Sequence, residues 1–107
     1  MTDLSSNFQK YPMEEPQRVH IFVEGRVQGV GFRYFTIEVA NRFEITGWVR
    51  NTLNQEVEIT AEGTRDKLDP FIATIRQGPN AGFVKSLRIQ WLTATGEFKR
   101  FSVISNY

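Results

Sequence analysis

Cysteine is absent from this chain, and histidine occurs once, as His20. Without cysteine there is no disulfide framework, Cys-ligated zinc site, iron–sulfur cluster or thiol nucleophile. A single histidine excludes a His-rich metal site and leaves little for a His-based triad. Long apolar runs are missing too, since none approaches the ~20 residues needed to cross a bilayer. Nor is there an excess of either charge, with 13 Lys+Arg against 12 Asp+Glu and a net charge of +1. That balance removes the electrostatic case for nucleic acid or a membrane surface as the main partner. Any catalysis must therefore run on arginine, amides, carboxylates, hydroxyls and backbone N–H groups.

What is present suits one globular domain: 107 residues, 40% hydrophobic and 23% charged. Residues 1–17 carry Asp3, Lys10, Glu14 and Glu15 together with Pro12 and Pro16 and lack the apolar core of a signal peptide. They read as a flexible tail, with Phe8, Tyr11 and Met13 available for loose docking. The folded domain is expected over 18–107 and the cytoplasm as its location.

Beyond the tail the hydrophobic period switches between strand and helix. Val19, Ile21 and Val23 alternate with His20, Phe22 and Glu24, which predicts a half-buried strand over Arg18 to Gly25. Three glycines then fall within Gly25 to Gly31. Phe32, Phe35, Val39 and Phe43, flanked by Ala40, share one helical stripe and predict a helix over Phe32 to Arg42. A second strand is expected from Ile45 to Asn51, a turn over Thr52 to Glu56, and a third strand alternating Val57, Ile59 and Ala61. Leu68, Phe71, Ile72 and Ile75 form the face of a second helix. It starts either at a Thr64 cap, with Pro70 near its first turn, or late, with Asp69 as cap and Pro70 first in the helix. Gly78 and Pro79 stop it. A long strand follows over Phe83 to Thr93, and Phe101 and Val103 begin a last one.

The order β-α-β-β-α-β plus a C-terminal strand, with two αβ crossings in so short a chain, predicts an α+β ferredoxin-like sandwich. The expected form is one antiparallel sheet with two helices on one face. If Phe83 to Thr93 lies at an edge, Lys85 and Arg88 would guard it against self-association.

A right-handed β-α-β crossover makes strands one and two parallel, so their C-terminal ends share one sheet edge. The glycine-rich loop leaves strand one there and enters the first helix, whose N-terminal amides favour an anion. Arg33, in the first turn, can fork two donors onto a phosphate or carboxylate. Asn51 ends strand two at the same edge. Each feature also has a plain structural use: a tight turn, a surface cation and a strand-ending Asn. His20 is given no role, and Arg50 and Arg26 are expected in solvent. On residue types and spacing alone the chain reaches an anion-binding loop.

Gly25-Arg-Val-Gln-Gly-Val-Gly-Phe-Arg33, followed by Gly47-Trp-Val-Arg-Asn51, resembles the paired signature of the acylphosphatases. Val57-Glu-Ile-Thr-Ala-Glu-Gly63 and Gly78-Pro79 extend the likeness, which runs from about Arg18 to the C-terminus. The resemblance implies the same ferredoxin-like fold and hydrolysis of acyl phosphates to carboxylate and inorganic phosphate, without metal or organic cofactor. It further implies that Arg26, Val27, Gln28, Gly29 and Val30 cradle the phosphate through backbone N–H groups. Arg33 would bind the phosphate, Asn51 would orient the attacking water and Thr52 would support the site. The partners implied are a small-molecule acyl phosphate and inorganic phosphate, handled by a monomer. Departures from the pattern are the long tail and Asn54-Gln55, where a glycine-containing turn is usual. The C-terminal carboxylate of Tyr107 is a further candidate neighbour of Arg33.

Two other readings compete. One is a non-catalytic anion-binding ferredoxin-like module. The other is an RNA-binding ferredoxin-like domain, whose expected Lys/Arg-Gly-Phe/Tyr octamer is missing.

Overall fold

Alternation along the first strand is the element from which the rest builds. The computed structural model describes residues 15–106, so the tail contacts expected of Phe8, Tyr11 and Met13 and the Tyr107 carboxylate lie outside the described residues. The elements are β1 (Pro16–Arg26), α1 (Phe32–Arg42), β2 (Thr46–Asn51), β3 (Val57–Thr64), α2 (Arg65–Gln77), β4 (Phe83–Thr93) and β5 (Phe101–Val103). β1 begins two residues before Arg18, because Pro16 and Gln17 still pair with Thr64 and Gly63 of β3.

The five strands form one sheet in the order β4-β1-β3-β2-β5. β1 pairs antiparallel with both β3 and β4, and β2 pairs antiparallel with β3. β1 and β2 are thus parallel, as the crossover argument requires. The sheet is nevertheless mixed, because β5 pairs parallel with β2. β4 runs against β1, the chain reverses once more after it, and a strand then laid beside β2 must run the same way. Two backbone bonds flank this pairing: Gly47 N donates to Arg100 O, and Ile104 N to Val49 O, both at 3.0 Å.

Both helices cover one face, α1 over β2 and β5, α2 over β3 and β4. Val19, Ile21 and Val23 meet Ala61, Ile59 and Val57 across β1 and β3, and all six are fully buried. Phe32, Val39 and Ala40 of α1 and Leu68, Phe71, Ile72 and Ile75 of α2 close the core from above. Thr36 is buried in the stripe as well, its hydroxyl satisfied by the Phe32 carbonyl one turn back.

α2 starts after Thr64, so the late start at Asp69 does not occur and the helix continues through Pro70. A late start would remove Leu68, fully buried here, from the core at about 2 kcal/mol. Pro70 lies within the first two turns and costs the bond that its missing N–H would have made to Asp66. Its own carbonyl accepts from Thr74 Oγ1 at 2.8 Å. In the β2–β3 turn, Gln55 takes φ 67°, so the position where a glycine is usual is left-handed even though glutamine fills it.

The helix-free face is held by ion pairs. Glu58 accepts from His20 Nε2 and Arg50 Nε, both at 2.7 Å, and Arg50 lies over the Trp48 ring. The expectation that Arg50 stands free in solvent is therefore wrong: its partners come from the same strand and the next. His20 is partly covered, edge-on to Phe22. Glu62 accepts from Arg18 Nε at 2.7 Å, Thr95 N at 2.9 Å and Gly96 N at 3.0 Å.

Burial alone would raise the Glu62 pKa, but these donors outweigh it and hold the carboxyl below its usual value. A lowered folded pKa gives stability that is complete above the unfolded value and fades as pH falls through the folded one. Glu62→Gln should thus cost about 1–3 kcal/mol near neutral pH. The Tm gap to the parent should close toward pH 3. A gap that persists in acid would assign the loss to shape instead of charge.

Candidate active site

Strand directions bring four chain segments to one sheet edge. β1 and β2 end there, and parallel β5 delivers the residues after Val103 to the same edge. β4, antiparallel to β1, begins there. The loop from β1 to α1 crosses this edge, with Gly29 at φ 75° and Gly31 at φ 78°. Gly31 is the N-cap of α1 and contributes no side-chain cap, so the helix's leading amides are not covered by a capping side chain.

Arg26 closes β1, exposed and opposite Phe83 of β4. Val27 is 1% exposed and its side chain belongs to the core, so only its backbone can face a ligand. Gln28 staples the loop to the next turn: its amide nitrogen donates to Thr52 O at 2.9 Å and Glu56 O at 2.8 Å. Val30 packs partly against the core. Thr52 closes the β2–β3 turn, its N–H donating to Glu56 O at 2.9 Å and its Oγ1 accepting from Glu56 N at 3.2 Å. Each of these contacts fixes the loop or the turn beside it.

Arg33 and Asn51 come together through a residue that the sequence did not single out. Arg33 Nη1 donates to Asn106 Oδ1 at 3.3 Å, and Asn51 N donates to the same oxygen at 3.2 Å. One acceptor oxygen thus sits between the guanidinium and the strand-ending amide. Asn51 Oδ1 itself is buried and has no hydrogen-bond partner among the described residues. A buried acceptor without a donor is costly, and such groups mark places where a water or ligand belongs. No local signal flags Asn106. It lies three residues beyond a three-residue strand whose parallel pairing is a long-range event.

A depression of about 230 Å³ elsewhere, on the helix-free face, is lined by His20, Phe22, Arg88, Ile89 and Gln90. Its cation is already committed, since Arg88 binds both carboxylate oxygens of Glu56 at 2.8 and 3.1 Å. The loop edge, with its open donors and its orphaned acceptor, is the better site. Among the described residues no helix is long and apolar enough to cross a membrane.

These features define an α+β protein of ferredoxin-like topology with a glycine-rich loop, an uncapped helix N-terminus and Arg33 at one end of its sheet. A sequence model of the acylphosphatase family matches residues 19–103. An acylphosphatase of Syntrophotalea carbinolica is 47% identical over 89 residues, 83% of this chain and 97% of that protein. The crystal structure of acylphosphatase from Bacillus subtilis superposes with a TM-score of 0.80 at 35% identity, covering 82% of this chain and 98% of that one. Full-length HypF, in its phosphate- and nucleotide-bound form, contains a similar unit: TM-score 0.78, 28% identity, 86% of this chain but 12% of HypF. The chain belongs to the acylphosphatase family. It is an enzyme that hydrolyses the carboxyl–phosphate bond of a small-molecule acyl phosphate, which sets aside the non-catalytic and RNA-binding readings.

Proposed function

We propose that the backbone N–H groups of Arg26 to Val30 and the fork of Arg33 hold the phosphoryl group, and that Asn51 orients the water that attacks it. The observation that carries this reading is the buried, unpartnered Oδ1 of Asn51, whose own N–H shares an acceptor with Arg33. An acceptor left open there suits a water proton. That Arg33 and the Asn51 N–H both donate to Asn106 Oδ1 supports a phosphoryl oxygen accepting from the same two donors.

The water oxygen bonds to phosphorus, the bond from phosphorus to the acyl oxygen breaks, and the carboxylate leaves with the electron pair. A carboxylate is a good leaving group and needs no strong general acid. Neither imidazole nor carboxylate occurs among Arg26 to Val30, Arg33, Asn51 and Thr52. The water's proton therefore passes to a phosphoryl oxygen. Positioning and charge stabilisation carry most of phosphoryl transfer, and an arginine fork with fixed amides supplies both. The Gln28 side chain and Thr52 hold the loop and the strand end in register, so these groups support the site without touching the reacting atoms.

On this reading residues 18–107 work as a cytoplasmic monomer on a small molecule, without metal, organic cofactor, nucleic acid or membrane. Benzoyl phosphate turnover and its inhibition by inorganic phosphate, measured on the same variants, separate binding from chemistry. Loss of both at Arg33, and of turnover alone at Asn51, is the expected pattern. Parallel losses at both residues would remove the water-orienting role.

A further inference from the structure

Among the described residues the three most exposed large apolar side chains are chain or cross-strand neighbours of site residues: Tyr34 at 73%, Leu53 at 71% and Phe83 at 59%. Tyr34 follows Arg33, Leu53 follows Thr52, and Phe83 is the cross-strand partner of Arg26. In-line displacement chooses among them. The attacking water and the leaving oxygen must lie on opposite sides of phosphorus. With water held at Asn51 on β2, the acyl group departs on the side away from β2. Across β3 and β1 in that direction stands β4, whose first residue, Phe83, begins at the same sheet edge.

Phe83 is also fixed there by its neighbours. Gly25 takes φ 139° and lies so close to the Phe83 carbonyl that a Cβ would overlap it. Gly82 approaches the Arg26 carbonyl and the Val30 side chain so tightly that a Cβ would stand 3.0 and 3.2 Å from them. The register of β1 and β4 slips at Glu24/Gly25, beside this contact, as bulges do where a side chain is re-aimed. A rigid backbone on the loop thus presents an aromatic ring to solvent on the leaving-group side.

We infer that Phe83 is a specificity residue for the known reaction, its ring packing against the acyl group of apolar and aromatic acyl phosphates. The inference rests on Asn51 holding the water, because that sets the exit side. Leu53, on the water side, should take no part. Small acyl groups such as acetyl are too short to use the ring, and the phosphate grip is independent of it.

The test compares kcat/KM for benzoyl phosphate and acetyl phosphate in Phe83→Ala, Phe83→Tyr and Leu53→Ala. Phe83→Ala should lose about fivefold on benzoyl phosphate, the worth of one ring contact. Acetyl phosphate turnover and inhibition by inorganic phosphate should stay within about twofold of the parent. Phe83→Tyr should keep the parent's preference, and Leu53→Ala should leave it unchanged. An unchanged benzoyl-to-acetyl ratio in Phe83→Ala, or an equal loss on both substrates, overturns the assignment. A preference lost in Leu53→Ala instead would put the acyl group on the other side. Asn51→Ala in the same assay checks the underlying reading separately, through turnover against phosphate inhibition.

Discussion

Arg33→Gln should lower kcat/KM on benzoyl phosphate about 100- to 1,000-fold and abolish measurable inhibition by inorganic phosphate. The guanidinium's side-chain hydrogen bond among the described residues is to exposed Asn106, so its removal leaves the core untouched. Far-UV CD and Tm should match the parent. Arg33→Lys keeps the charge but loses the planar fork, and it should recover only part of the loss. Full activity in the lysine variant would show that a point charge is enough and that bidentate geometry is not used. Phosphate inhibition that survives in Arg33→Gln would move the phosphate away from this edge.

Asn51→Ala should behave differently, and the reason lies in which of its atoms do what. The N–H that bonds Asn106 Oδ1 belongs to the backbone and survives the substitution. Only the side-chain amide, with its unpartnered Oδ1, is lost. Turnover should therefore fall about 100-fold, while the inhibition constant for phosphate stays within about threefold. Asn51→Asp is a useful companion, because it retains an acceptor but sets a negative charge beside the bound phosphate. It should weaken phosphate inhibition, most clearly at neutral pH. If Asn51→Ala loses phosphate affinity and rate by the same factor, Asn51 is a binding group and the water is held elsewhere.

Local patterns in the sequence anticipated what local physics controls. Phe32, Phe35 and Val39 marked α1, which runs over Phe32–Arg42, and the alternation of apolar residues marked β1 and β3. Strand polarity followed from the handedness of one crossover. Pro70 left two starts open for α2, because local propensity could not weigh the burial of Leu68. The parallel pairing of β5 was invisible for a similar reason: three residues carry too little pattern to choose a neighbour. Arg50 looked free because Glu58 meets it across strands, at a spacing no linear reading displays.

The site divides along the same line. Glycines, Arg33 and Asn51 stood out as residue types, and topology placed them at one edge. Asn106 did not stand out, although both donors converge on it. Gln28 was expected to act through its backbone, yet its side chain also ties the loop to the Thr52 turn.

On the proposed mechanism the site grips the phosphoryl group and sends water to its phosphorus. Hydrolysis of benzoyl phosphate in ¹⁸O-labelled water, followed by mass spectrometry of both products, tests this most directly. Attack at phosphorus places the label in inorganic phosphate and leaves the benzoate unlabelled. Label in the benzoate would mean attack at the acyl carbon and would contradict the roles proposed here for Arg33 and Asn51.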